Sequence, residues 1–200
     1  MNAEIISVGT ERLLGDIVNT NAQYLAQGLA ALGFWVYYQT VVGDNPARLR
    51  WVVETAKARS QVLVFTGGLG PPDDDLTKAT VAEVFNDTLA MDPEEMAKIE
   101  AFFVKRGLPM GPNNAKQAML PQKGGKLPNP NGTAPGAVFQ DGGCTAFLLP
   151  GPPREMQPMF DNQVRPLLAQ MQEGTIRSQV LRVFGVGESD LENQVRHLLE

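Results

Sequence analysis

The five residues Val62–Thr66 read VLVFT, an apolar run with no polar break, followed at once by glycine. A run this short and this continuous marks a β-strand buried on both faces, which requires a sheet covered by helices above and below. The chain is therefore expected to be an α/β protein with a mostly parallel sheet. The residues that follow the strand, TGGLGPPDDDLTKAT from Thr66, set three glycines, two prolines and three consecutive aspartates before a helix-like segment. Glycine frees backbone N–H groups to meet an anion, whereas Asp73, Asp74 and Asp75 repel one unless a cation stands between them. An acidic turn that merely caps the next helix is the simpler alternative.

The rest of the chain alternates in the same manner, strand-like then helix-like. Residues 3–8 (AEIISV) form a short apolar strand ending at Gly9, and Asn19 or Thr20 caps a helix that carries Leu25, Leu29 and Leu32 and stops at Gly33. Residues 34–42 (FWVYYQTVV) are aromatic and β-branched, as a strand should be. Asn45 and Pro46 pair a cap with a first-turn proline and open a helix with Leu49, Val52, Val53 and Ala56 on one stripe. Helices are expected over 77–85, from Asp92-Pro93 to about Arg106, and briefly over 113–120. Residues 124–135 are turn-dense and without period, and a hairpin over 136–149 turns at Asp141-Gly142-Gly143. The segment LPGPPRE leads into an amphipathic helix to about Gln172, beyond which residues 177–184 read as a strand and 188–200 as a helix. The expected division is a main domain over 1–172 and the start of a second unit over 173–200.

Composition narrows the function. The net charge is −5 and the 17 Lys and Arg residues are scattered, so no basic footprint for nucleic acid is expected. The single cysteine, Cys144, excludes an internal disulfide framework, and the single histidine, His197, excludes His-rich zinc ligation, so any metal is held by oxygen. No window approaches the roughly twenty apolar residues of a membrane span, and the chain reads as a cytoplasmic protein without a membrane partner.

Open α/β sheets bind ligands beyond the carboxyl ends of their strands. Besides the acidic loop, three loops fall at such ends: 9–21 (GTERLLGDIVNTN), 129–136 (NPNGTAPG) and 150–156 (PGPPREM). Each alone is more often a turn than a site, but four at one edge of a sheet would line a single crevice.

Through SVGTERLLGDIVNTN, TGGLGPPDDDLT, NPNGTAPG and LPGPPREM, in that order and at that spacing, the chain resembles the N-terminal domain of the CinA family of competence/damage-inducible proteins over about residues 1–170. The resemblance implies a three-layer αβα molybdopterin-binding-like fold, followed by a small KH-like α+β segment that residues 173–200 would begin. It implies divalent-metal-dependent (Mg, Mn or Co) hydrolysis of the pyrophosphate of ADP-ribose to AMP and ribose 5-phosphate; the alternative is a molybdopterin or nucleotide binding module without turnover, or an interaction domain retaining the pocket. The deamidation of nicotinamide mononucleotide by the C-terminal domain of many relatives is not expected of these residues. The partner is a small-molecule nucleotide, and a homo-oligomer is allowed for. Asp75 is the first choice of metal ligand and Asp74 the second, directly or through water. Gly67, Gly68 and Gly70 supply backbone contacts, and Gly9, Thr77, Asn129, Gly132 and Thr133 join them around the substrate. Asp16 and Asn19 contact the nucleotide or the groups behind it, unless Asn19 only caps its helix. Arg154 would stabilise developing negative charge and Glu155 act as base, unless the two form a structural pair. Two positions depart from the family pattern: Pro72 stands where threonine is usual and Arg12 where leucine is usual.

Overall fold

The computed structural model describes residues 1–72, 75–171 and 182–198. Six strands form one sheet in the order β2-β1-β3-β8-β7-β6, where β1 is Asn2–Val8, β2 Trp35–Val42, β3 Val62–Thr66, β6 Gly125–Leu127, β7 Gly136–Asp141 and β8 Cys144–Leu149. β1 runs parallel to β2 and β3, and β3 parallel to β8; β7 then adds antiparallel to β8, and β6 antiparallel to β7. β3 occupies the middle, and all five of its residues are buried.

Side chains alternate between the faces of the pleat, and each face has its own core. Ile6, Val8, Leu63, Phe65, Ala146 and Leu148 pack with Leu49 and Val53 of helix α3 (Pro46–Arg59) and Val81 and Phe85 from helix α4 (Thr77–Val84) and its end. Ile5, Val62, Val64, Phe147 and Leu149 pack with Leu25 and Leu29 of α2 (Thr20–Ala31) and with Met156, Phe160 and Leu168. The result is three layers. Among the described residues the buried charged side chain of the sheet is Glu4, whose carboxylate accepts hydrogen bonds from Arg59 at 2.8 and 2.9 Å and from Thr40 at 2.8 Å.

Local signals act as read. Asn45 caps α3 by accepting from the Arg48 N–H at 3.0 Å, and Asp92 caps α5 (Pro93–Lys105) by accepting from Glu94 and Glu95. Gly142 and Gly143 form a two-residue turn with φ of 58° and 81°, which lets Asp141 pair with Cys144.

Other expectations are corrected. The first loop contains one helical turn, α1 (Thr10–Leu13). The expected helix over 113–120 is a 3₁₀ helix, Pro112–Ala118, after which Leu120 enters β5 (Met119–Pro121) and pairs with Ala90 of β4 (Leu89–Met91). The turn-dense 124–135 stretch supplies β6, whose existence rests on pairing with β7 rather than on propensity. After LPGPPRE the helix is α6 (Pro153–Met159), five residues of π-helix (Phe160–Val164) and α7 (Arg165–Met171). Pro158 and Pro166, neither with an N–H to donate, bracket the stretch where the ladder shifts. Of the expected strand over 177–184, residues 177–181 lie outside the described residues and 182–184 have no regular structure; α8 (Glu188–Val195) follows. Among the described residues no helix is long and apolar enough to cross a membrane.

Candidate functional site

A crevice of about 660 Å³ opens beyond the carboxyl ends of β1, β3 and β8, and residues from all four loops line it. Its geometry is set by glycines that permit the strand ends to crowd together. A Cβ on Gly67 would lie 2.2 Å from the Val8 carbonyl oxygen, and one on Gly68 would lie 2.0 Å from Thr77 Oγ1. Both glycines have positive φ, 101° and 67°. Thr77, buried at the start of α4, donates its hydroxyl to the Gly67 carbonyl at 3.2 Å and its N–H to the Gly68 carbonyl at 3.3 Å. It therefore holds the loop from beneath and does not line the crevice. The Gly67 N–H is bonded to the Leu149 carbonyl at 3.0 Å, whereas those of Gly68, Leu69 and Gly70 have no hydrogen-bond partner among the described residues. All three residues line the crevice, as does Asp75, whose Oδ2 lies 2.2 Å from where a Cβ on Gly70 would stand. Unbonded amides and a carboxylate thus share one loop.

The floor is stitched by Asn21 and Thr66. Asn21 Nδ2 donates to Thr66 Oγ1 at 2.9 Å and to the Gly151 carbonyl at 2.7 Å, while Thr66 donates to the Pro150 carbonyl at 3.1 Å. Two buried side-chain oxygens of crevice residues, Asn21 Oδ1 and Gln117 Oε1, lack partners among the described residues. Gln117 is held by its backbone, whose carbonyl accepts from Lys78 at 2.7 Å. Burial pushes the Lys78 ammonium down to about 8, against the pull of Glu95.

The remaining expected residues divide. Gly9, Asn19, Thr133 and Glu155 line the crevice. Asn19 also caps α2, accepting from Ala22 at 3.2 Å, and donates to Ser7 at 2.9 Å, so both ends of its amide are used. Glu155 is buried and accepts from Asn129 at 2.8 Å. Asn129 and Gly132 are its supports: Asn129 also donates to the Ala134 carbonyl at 3.0 Å, and a Cβ on Gly132 would meet Glu155 Oε2 at 2.1 Å. With Thr133 these two also line a smaller cavity of about 240 Å³ beside Lys98 and Phe102. Asp16 is exposed and away from the crevice wall. Asp74, like Asp73, lies outside the described residues. Arg154 is exposed and off the wall, because the first turn of α6 directs Glu155 and Met156 inward. Its expected place as a cation is taken by Arg12, whose guanidinium donates to the Val8 carbonyl at 2.8 Å and pairs with Glu11 at 3.1 Å.

The donor set is all oxygen. Asp75 and the unpartnered Gln117 Oε1 suit a hard divalent cation. Among the described residues no three His, Cys, Asp or Glu side chains come together to hold an ion, so ligand oxygens and water would complete any coordination.

Fold and crevice together define an α/β domain of the molybdopterin-binding type. The family described as "Probable molybdopterin binding domain" matches residues 4–170. A molybdopterin biosynthesis protein from Mycobacterium abscessus shares the fold alone, with a TM-score of 0.56 and 15% identity over 85% of this chain and 93% of that one. The protein CinA from Thermoplasma acidophilum superposes with a TM-score of 0.75 and 34% identity, covering 83% of this chain and 97% of that one. A CinA-like protein from Dictyoglomus turgidum is 51% identical over 200 residues, all of this chain and 49% of that protein. The chain belongs to the CinA family, and it spans about half the length of such curated relatives.

Proposed function

We propose that the crevice hydrolyses the diphosphate of ADP-ribose, giving AMP and ribose 5-phosphate. The observation that supports this most is the pairing, in one wall, of the unbonded amides of Gly68, Leu69 and Gly70 with the Asp75 carboxylate. Amides serve phosphate oxygens, and the carboxylate serves the cation that a diphosphate brings. Asp75 would hold that divalent cation together with substrate oxygens and water. A cation held there would supply charge neutralisation of the diphosphate and a bound water of lowered pKa. The chain's own groups do the rest. The glycine loop orients the phosphates, and Asn21 and Thr66 keep the floor from collapsing. Glu155, steadied by Asn129, takes the proton as the water oxygen attacks one phosphorus and the bridging P–O bond breaks toward the other phosphate. The test is incubation of purified protein with ADP-ribose and Mg²⁺, Mn²⁺ or Co²⁺; AMP is expected, and its absence under every metal overturns the reading.

Pro72 favours a second reading, a nucleotide or molybdopterin binding module without turnover. It lies on the crevice wall with neither a hydroxyl nor an N–H to offer a phosphate. That reading expects saturable binding of adenylate or pterin by calorimetry with no product.

A further inference from the structure

We propose that Arg12 is the anion clamp of this crevice, binding a non-bridging oxygen of the ligand's diphosphate so that the chain holds the ligand without a metal. The proposal rests on reading the crevice as a diphosphate site. Among the described residues that line it, four carboxylates, Glu11, Asp44, Asp75 and Glu155, face one basic side chain, Arg12. A wall so acidic repels a diphosphate, and Arg12 is the group that can reverse this locally.

The side chain is only 8% exposed, yet its hydrogen-bonding capacity is largely unspent. Both contacts, to the Val8 carbonyl and to Glu11, are made through Nη1. Nε and Nη2 make no hydrogen bond among the described residues, although a guanidinium carries five N–H donors. Burying such donors unfilled is costly unless a ligand completes them. Their position is specific as well. Nη1 lies 3.3 Å from where a Cβ on Gly67 would stand, and Nη2 lies 3.9 Å from where one on Gly151 would stand. The guanidinium therefore fills the gap between the turn after β3 and the turn after β8, on the same wall as the unbonded amides. Its bond to the last carbonyl of β1 fixes that position, leaving the second edge as a preorganised fork for phosphate oxygens.

The experiment is calorimetric titration of the protein with ADP-ribose in EDTA, comparing wild type, Arg12→Gln and Arg12→Lys, with melting temperatures to verify folding. Wild type is expected to bind, more weakly as salt rises; Arg12→Gln should bind at least tenfold more weakly. Arg12→Lys, a point charge in place of a fork, should lose several-fold with an unchanged melting temperature, and it decides the matter if the Gln variant fails to fold. Equal affinity in the folded variants, or no binding by wild type in EDTA, overturns the clamp. The two readings separate cleanly. Arg12-dependent binding with no AMP under any metal removes the hydrolase and keeps the clamp, whereas AMP formation with an unchanged KM in Arg12→Gln removes the clamp and keeps the hydrolase.

Discussion

Asp75, in the loop before α4, and Lys78, in its first turn, sit three residues apart and carry opposite expectations. Asp75→Asn keeps the shape of the side chain but loses the charge that a cation needs. A charge-assisted contact contributes about 1.5–3 kcal/mol, so kcat/KM with metal should fall roughly tenfold to a hundredfold while the melting temperature holds. Near-normal turnover would leave Asp75 as a loop residue only. Lys78 is testable through pH. Unfolded, its ammonium titrates at the ordinary 10.5; folded, at about 8, so the native state pays for the charge at every pH below 8 and is relieved as pH rises toward 10.5. Burial pushes the Cys144 thiol the other way, from 9.0 to about 11, and its contribution declines as pH rises from near 9 toward 11. Between pH 7.5 and 9, stability by urea unfolding should therefore rise by about 1 kcal/mol in wild type and fall slightly in Lys78→Met.

The glycine-rich loop after β3 is held from two sides. Thr77 grips it from α4, and Lys116 of the 3₁₀ helix donates to the Pro72 carbonyl at 2.9 Å. Substitution of the Pro72 side chain leaves that carbonyl anchor in place. Pro72→Thr adds a hydroxyl and an N–H at the crevice wall, and one such bond made in the transition state should raise kcat/KM roughly tenfold to a hundredfold. The added freedom of the unfolded chain should lower the melting temperature slightly. A lower melting temperature with unchanged kcat/KM would mean that the missing threonine does not limit this site.

Among the described residues the buried members of the two cores end at Leu168, and none of the residues of α8 is buried. A chain ending at Met171 is therefore expected to keep the melting temperature of the longer one. A drop of several degrees in a thermal scan would show that residues beyond 171 pack on the main sheet and contribute to its stability.

Features decided within a few residues of chain are legible in the sequence. The run VLVFT requires cover on both faces, Asn45-Pro46 and Asp92-Pro93 satisfy their own helix starts, and Gly142-Gly143 permits only a tight turn, because each signal acts through local sterics or a hydrogen bond of short span. The order of the four loops likewise placed Gly67, Gly68, Gly70, Asp75, Thr133 and Glu155 at one crevice. Partners distant in sequence were not legible. β4, β5 and β6 have three residues each and exist through pairing. Which arginine lines the crevice depends on how α1 and α6 are rotated against the sheet: Arg154 turns outward while Arg12 reaches the ends of β1, β3 and β8. The roles of Thr77, Asn129 and Gly132 as supports, and the unpartnered oxygens of Asn21 and Gln117, arise only where segments many residues apart meet. Sequence alone determined the fold class and the loops that form the site, since these follow from burial pattern and backbone conformation. Tertiary structure decided which side chains enter the crevice, since that depends on the rotation and register of packed elements, which no local signal encodes.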